Sequence, residues 1–456
     1  MDTPSTTVSA KTPFADTLFG SDKHGLGDSE KNDLSSHGSA HTHDDDDDDD
    51  DDQASVCPPD TMHGWAMVLC CFFLMMTAIG PTNSFGVYLQ EYHTRVFPST
   101  PTTTLSWIGC LQFGSMCIFG IVAGVLVERF DLRVVVTGGT VVAGGAFLVA
   151  SACSSPIGLL FTQGILFGAG GSCVLNTAVS LPGQWMDRHR AVATGLAIAG
   201  GSLGALWLSF ATTAMVANIG WQWSLRVTGL FILVVGLTVA PFLRKRVKVP
   251  PRSKIIDLAA LSNMQFIVLF FSTLFVSGGY FMPYYFMPSY AVVHLGLPSK
   301  WSANISSVLN AGSIVGRVAT GVLADRIGPL NAFLITSVLS VISVLAIWLP
   351  FHSKAALIVA ALLFGFNSGS AVSLVPVVTA RIFGIGRLAS VLGLLFVSYA
   401  IGTFLCSPIG GILLDRYGGG EDYLSLILYG GAFFALGTLL MLVLRLNMSR
   451  KAFVVV

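Results

Sequence analysis

Twelve apolar stretches dominate this sequence and constrain its fold more than any other feature. They occupy residues 65–88, 104–127, 133–152, 157–181, 190–213, 222–243, 264–288, 302–324, 330–350, 354–379, 387–409 and 423–446. An α-helix rises about 1.5 Å per residue, so about 20 residues cross the ~30 Å hydrocarbon core of a bilayer. Backbone polar groups in lipid must be satisfied within the segment itself, which a helix achieves. The sequence therefore predicts an all-α polytopic membrane protein with twelve transmembrane helices in the lipid bilayer.

The composition supports this class and argues against others. Charged residues make up 11% of the chain and apolar residues 53%, whereas a soluble domain has about 25% charged residues. The formal net charge is zero because the acidic run 44–52 balances basic residues in the loops, so we predict no nucleic-acid partner. Seven of the eight cysteines lie in apolar runs, which favours packing over a metal site or disulfides. No signature of a zinc, nucleophile-elbow or phosphate-loop enzyme occurs, so we predict no catalytic activity and no cofactor.

The chain divides into five predicted segments. Residues 1–60 form a disordered acidic tail, residues 61–243 and 263–446 each hold six apolar stretches, 244–262 form a basic linker, and 447–456 form the C-terminus. Sixteen Lys and Arg residues lie in the C-terminus and in the connections on the same side of the membrane as the N-terminal tail, whereas four lie in the connections on the opposite side. Positive charge is enriched on the cytoplasmic side of membrane proteins, so both termini are predicted to be cytoplasmic.

Two segments repeat at one offset of 197 residues. Gly124, Glu128 and Arg129 precede their counterparts Gly321, Asp325 and Arg326 by this distance, and the pair 167–168 precedes the pair 364–365 by the same distance. Two matches at one offset indicate parallel structural repeats, which would place a substrate site between the halves.

The repeated loops suggest a conformational latch. A carboxylate at position 128 or 325 can face the N-terminus of a neighbouring helix, and the adjacent arginines can stay at the membrane surface. We therefore assign gating roles to Glu128, Arg129, Asp325 and Arg326. Arg190 is a further gating candidate, although a simple bias of positive charge to this side explains it equally well.

Arg317 lies inside the eighth apolar stretch. An arginine at membrane depth costs at least ~2.5 kcal/mol, so it should face a wet cavity or an anion. Its fork-shaped guanidinium can bind a carboxylate through two hydrogen bonds. The alternative is that Arg317 caps helix carbonyls or reaches the membrane surface. The first repeat has Gly120 at the matching position, so the arginine is absent from that copy.

Other candidate substrate contacts are polar or aromatic residues at membrane depth. Tyr280 and Tyr284 share one helical face beside Pro283 and Pro288, which favours an aromatic gate. Amides and hydroxyls within a membrane protein either contact the substrate or cross-link helices. The candidates of this kind are Asn83, Asn176, Asn310, Asn367 and Ser370.

The ordered set of motifs resembles the major facilitator superfamily, and more narrowly the monocarboxylate transporters and their fungal relatives. The matching stretches are "PPD" with "GW" (58–65), "NSFGVY" (83–88), "RHRAVATGLAIAGGSLG" (188–204), "GRVATGVLADR" (316–326) and "SLVPVV" to "SPIGGILLD" (373–415). The resemblance implies a plasma-membrane transporter in which Arg317 anchors a substrate carboxylate. Proton-coupled animal members carry a lysine and an aspartate where this chain has Thr82 and Ser313, so coupling through that pair is not implied.

These observations predict a secondary active or facilitative transporter for a small organic anion, working by alternating access and as a monomer. Two alternatives stay open: an exporter of a secondary metabolite on the same machinery, and a nutrient receptor of this fold that does not transport. A membrane-embedded enzyme is disfavoured, since the helices contain no paired carboxylates.

Overall fold

The computed structural model describes residues 60–100, 102–246, 262–298, 300–417 and 422–448, and every regular element in these ranges is helical. Within these ranges twelve helices are long and apolar enough to cross a membrane, so the predicted number is confirmed. They are α1 (Met62–Asn83, continuing as Phe85–Glu91), α2 (Thr102–Ile118, continuing as Gly120–Arg129), α3 (Leu132–Ala150), α4 (Pro156–Trp185), α5 (Arg190–Ile219), α6 (Trp221–Phe242), α7 (Met264–Val293), α8 (Lys300–Ile327), α9 (Pro329–Trp348), α10 (Lys354–Phe383), α11 (Leu388–Tyr417) and α12 (Leu424–Met448).

Some predicted segments fall outside the described residues. The predicted acidic tail lies there except for Asp60, as do residues 247–261 of the linker and 449–456 of the C-terminus. The exact boundaries of the halves therefore stay predictions. We call the end of the bundle where α1 begins and α12 ends the terminal face.

Glycine allows close helix packing within each half. In the first half α1 packs on α5, where a Cβ at Gly200 would overlap the carbonyl oxygen of Phe72. In the second half α8 packs on α10, where a Cβ at Gly316 would overlap the carbonyl oxygen of Phe366. Lipid tails are as apolar as leucine, so close van der Waals contact rather than hydrophobic burial drives such packing.

The two halves meet chiefly through two helix pairs, α2 with α11 and α5 with α8. These pairs correspond to each other under the internal repeat, because α2 is the counterpart of α8 and α5 that of α11. The arrangement leaves a central space bordered by helices of both halves.

Candidate functional site

A central cavity lies between the halves. Its lining comes from four helices of each half, namely α1, α2, α4 and α5 with α7, α8, α10 and α11. The lining residues are Met75, Ile79, Asn83, Phe113, Cys117, Leu175, Val179, Ile198, Tyr280, Phe281, Arg317, Val372, Val375, Pro376, Leu392, Leu395, Phe396 and Tyr399. Most of them are apolar or aromatic, and Arg317 carries the charge of this lining. Such a lining suits a ligand with a substantial apolar body and one polar anchor.

Arg317 is 5% exposed and is held by one hydroxyl. Its Nε donates a hydrogen bond to Oγ of Ser313, one turn earlier on α8, at 3.0 Å. Ser313 Oγ in turn lies 3.2 Å from Ser202 Oγ on α5, so the arginine is tied to the contact between the halves. The Nη1 atom of Arg317 is buried and has no hydrogen-bond partner.

An unpartnered donor on a buried charge is costly. Leaving such a group unsatisfied costs roughly 1–3 kcal/mol or more. A carboxylate or sulfonate oxygen in the cavity would satisfy Nη1 and balance the charge of Arg317. The arrangement is therefore suited to binding an organic anion.

Two further predicted contacts lie at the cavity and one lies behind it. Tyr280 and Asn83 belong to the lining, and Asn83 is exposed there. The ring of Tyr284 stacks on that of Tyr280, with centroids 4.8 Å apart, so the two tyrosines do share one helical face. Tyr284 itself is outside the lining, and its ring packs against the ring of Phe364 on α10, with the ring centroids 6.3 Å apart.

Asn310, Asn367 and Ser370, which the sequence offers as substrate contacts, are also outside the lining of this cavity. The amides of Asn310 and Asn367 donate to the carbonyl oxygens of the residues four positions earlier, at 2.9 and 2.8 Å. Ser370 Oγ donates to Thr336 Oγ1 on α9 at 2.6 Å. These side chains are satisfied by helix backbone and by helix contacts within one half, so we do not assign them to substrate binding.

The sequence did not single out Asn176 from the other amides at membrane depth. Its Nδ2 lies 3.3 Å from the carbonyl oxygens of Gly120 on α2 and Ala389 on α11, so one amide of α4 joins the two halves. The sequence signal for this role is that Asn176 lies in a glycine- and serine-rich helix, and this signal does not distinguish an amide that joins the halves from any other amide in the membrane. The aromatic lining residues Phe113, Phe396 and Tyr399 were missed, because their apolar neighbours in the sequence make them indistinguishable from packing residues.

At the terminal face, Asp325 joins α8 to α5. Its Oδ1 accepts a hydrogen bond from the backbone N–H of Ala191 at 2.9 Å, and Oδ2 accepts one from Val192 at 3.1 Å. These donors belong to the first turn of α5, whose N–H groups have no partner within the helix and where the helix dipole also favours a negative charge. Gly321 makes the approach possible, since its Cβ would lie 2.7 Å from the carbonyl oxygen of Ala191.

Glu128 makes the equivalent contact in the other helix pair. Its Oε1 accepts hydrogen bonds from the backbone N–H of Ser390 at 3.1 Å and from the Ser390 hydroxyl, at the start of α11. A Cβ at Gly124 would lie 2.8 Å from the carbonyl oxygen of Ala389. The two repeat motifs therefore form one pseudo-symmetric pair of contacts, each with a carboxylate of one half on a helix N-terminus of the other.

The basic gating candidates have other surroundings. Arg129 and Arg326 are exposed at the terminal face. Arg190 pairs with Asp187 of the same connection, Nη2 to Oδ1 at 2.9 Å, and donates to the carbonyl of Met186. These contacts of Arg190 lie within the first half and not across the halves.

Asp60 fixes the start of α1 to the connection between α4 and α5. Its carboxylate accepts hydrogen bonds from the backbone N–H groups of Asp187 at 3.3 Å and Arg188 at 3.0 Å, and its own N–H donates to the carbonyl of Trp185. Burial raises the pKa of Asp60, but these N–H groups and the nearby His189 together lower it by more, so the pKa is lowered overall. The start of α1 is thereby joined to the same connection that leads into α5.

Comparison with known proteins places this architecture in a family. The model of the Major Facilitator Superfamily matches residues 65–394 and again 302–454. The chain belongs to the Major Facilitator Superfamily. The human organic anion transporter MFSD10 (TETRAN) has the same fold, with a TM-score of 0.67 at 16% identity over 84% of this chain and 100% of that one.

The curated relatives are fungal members of this superfamily. The chain is 29% identical to the MFS transporter asaE of Aspergillus flavus over 85% of this chain and 88% of that protein. It is 28% identical to the aspyridones efflux protein apdF of Emericella nidulans over 79% and 74% of the two chains. Neither name mentions a monocarboxylate, so the narrower resemblance stays a prediction, whereas the predicted superfamily and its twelve-helix fold are confirmed.

Proposed function

We propose that this protein exports an acidic secondary metabolite with a large apolar body across the plasma membrane, with both termini in the cytoplasm. The observation that carries the proposal is Arg317, whose buried Nη1 lacks a partner in a cavity otherwise lined mainly by apolar and aromatic side chains. The relative named as an aspyridones efflux protein supports export over uptake.

The proposed cycle follows from the contacts at the terminal face. In the described conformation the Glu128 and Asp325 contacts hold the halves together on the side that we place in the cytoplasm. Breaking them would open the cavity to the cytoplasm, where the metabolite enters and its anionic group meets Arg317. Re-forming them would return the loaded cavity to the described conformation, from which release occurs on the other side.

The test is comparative metabolite profiling inside and outside cells that produce the wild-type protein, the Arg317→Gln variant or neither. We expect an acidic aromatic metabolite to accumulate inside cells without the protein and inside cells with Arg317→Gln. Arg317→Lys keeps the charge but loses the two-pronged geometry, so it should retain only part of the export.

Arg226→Gln is the matched control. Arg226 is a half-buried arginine on α6 whose Nε bonds Ser151 Oγ at 3.1 Å, and it is not part of the cavity lining. Its replacement should leave export intact. Equal metabolite profiles with and without the protein would refute transport and would favour the non-transporting receptor, while depletion of an acid from the medium would favour uptake.

A further inference from the structure

The described part of the membrane interior contains no side chain suited to carrying a proton at neutral pH. Carboxylates and histidine are the groups that bind and release protons in the acidic to neutral range. Between residues 61 and 446 the sequence has nine acidic residues and five histidines. They are Glu91, Glu128, Asp131, Asp187, Asp257, Asp325, Asp415, Glu421 and Asp422, with His63, His93, His189, His294 and His352.

All the described members of this set lie away from the middle of the bundle. Each of them is within two residues of a helix end or in a connection, while Asp257 and Glu421 lie outside the described residues. The cavity lining itself contains no acidic residue and no histidine among the residues that the structure describes. Proton exchange with the substrate inside the cavity therefore has no group of this lining to support it.

The charge of Arg317 is consequently not balanced by the cavity lining. A guanidinium stays protonated throughout the physiological pH range. Its hydrogen-bond partner is Ser313, a neutral hydroxyl, and the next hydroxyl in the chain of contacts is Ser202. The empty cavity thus carries one positive charge, and a bound monoanion neutralises it.

We infer that the membrane potential, and not a proton gradient, drives transport of an organic monoanion by this protein, an inference that rests on the proposed function. The loaded carrier reorients with its cavity electrically neutral, because the anion balances Arg317. The empty carrier returns with the positive charge of Arg317. One cycle therefore moves one negative charge in the direction of the substrate, without a coupled proton.

The direction of transport follows from this charge balance. With the cytoplasm negative, the potential pulls the positive empty site toward the cytoplasmic orientation and the net movement of the anion is outward. Each 100 mV sustains a concentration ratio of about 50-fold for a monovalent ion. Return of the empty carrier is the slow step, because it moves an unbalanced charge through an apolar environment. An anion that binds on the opposite side of the membrane neutralises this charge, so it should accelerate the return and allow fast anion-for-anion exchange.

The test uses the full chain reconstituted in liposomes with 1-naphthalenesulfonate as the probe. This arylsulfonate is ionised at all working pH values, so it can neither bring nor accept a proton, and it is an aromatic anion with a large apolar surface. Potassium gradients with valinomycin set the potential, and buffers inside and outside set the pH gradient independently. Flux of the probe and the current across a solid-supported membrane are recorded.

We expect an inside-negative potential of about 100 mV to drive the probe out of the liposomes until its outside concentration is about 50-fold higher than its inside concentration. Reversing the potential should reverse the direction of this accumulation. A pH gradient at zero potential should not concentrate the probe on either side. The rate of one-for-one exchange, measured with probe present on both sides of the membrane, should exceed the rate of net flux, measured with probe on one side. Arg317→Gln should abolish both the flux and the current, whereas Arg226→Gln should retain both. Concentrative flux driven by the pH gradient, or flux that does not respond to the potential, would overturn the inference.

A binding measurement separates the two proposals. A thermal-shift titration of the purified protein with the probe should show stabilisation in the wild type and in Arg226→Gln, but not in Arg317→Gln. Absence of binding in the wild type would overturn the proposed anion site and this inference with it. Binding with pH-driven flux, or binding with no flux under the applied potential, would overturn only the coupling to the potential.

Discussion

The hydrogen bonds of Asp325 should set how often the cavity opens toward the terminal face. The change to test is Asp325→Asn, which keeps the size of the side chain but removes its charge and one acceptor. The carboxylate holds two N–H groups of α5, at 2.9 and 3.1 Å, only while α5 and α8 are in contact. The variant therefore weakens the closed terminal face specifically, because no equivalent bond forms once the helices separate.

The magnitude follows from the capping geometry. Loss of an N-cap side chain costs about 0.5–2 kcal/mol, and a hydrogen bond to a charged group contributes about 1.5–3 kcal/mol. The amide keeps one acceptor, so we expect a loss of about 1–2 kcal/mol relative to the open conformation. A shift of this size raises the ratio of open to closed molecules about 5- to 30-fold.

Cysteine labelling can measure this shift. Cys117 lies in the cavity lining and is fully buried, so it can serve as the sole cysteine of a background in which the others are replaced. A membrane-impermeant maleimide is applied to vesicles whose terminal face points outward. The labelling rate should rise about 5- to 30-fold in Asp325→Asn, in proportion to the open population.

Asp131→Asn is the matched control for this experiment. Asp131 also caps a helix with its carboxylate, accepting from the N–H of Arg133 at 3.0 Å at the start of α3, but cap and helix both belong to the first half. Its replacement should destabilise the start of α3 without changing the rate at which Cys117 is labelled. An equal rate in wild type, Asp325→Asn and Asp131→Asn would refute the view that these carboxylates hold the halves together.

Three further predictions follow from the described contacts. Glu128→Gln should raise the same labelling rate, and its effect should add to that of Asp325→Asn in the double variant, since the two contacts lie on different helix pairs. Gly195→Ala should lower the midpoint of thermal unfolding by several degrees because its Cβ would overlap a carbonyl oxygen of α8, whereas Gly138→Ala, with no neighbour within 4 Å, should leave it unchanged or raise it. The pKa of Asp60 is lowered from its ordinary value of 3.8, so its carboxylate stabilises the start of α1 at and above that pH and loses this effect as the pH falls below it. The protection factors for amide hydrogen exchange at the start of α1, which correct for the intrinsic pH dependence of exchange, should therefore stay constant down to about pH 4 and fall below it, and Asp60→Asn should remove this change.

Much of the fold is determined by local features of the sequence. The length of each apolar stretch sets the number of helices, because a segment in lipid must satisfy its backbone internally. The shared offset of 197 residues is enough by itself to relate Glu128 to Asp325 and Gly120 to Arg317. An arginine inside an apolar stretch is likewise recognisable as a binding candidate, since its cost in lipid demands a partner.

Which polar residues face the cavity depends on how the helices pack against one another. Asn310 and Asn176 have the same chemistry, yet one bonds its own helix at Ser306 and the other bonds two helices across the halves. The difference comes from how each helix is rotated about its axis, and neighbouring helices rather than the local sequence set that rotation. Local sequence patterns are enough to predict the twelve helices, the repeat and an arginine at membrane depth. The packing of the two halves determined that Arg317 keeps an unpartnered donor at the cavity, because this depends on atoms that are far apart in the chain.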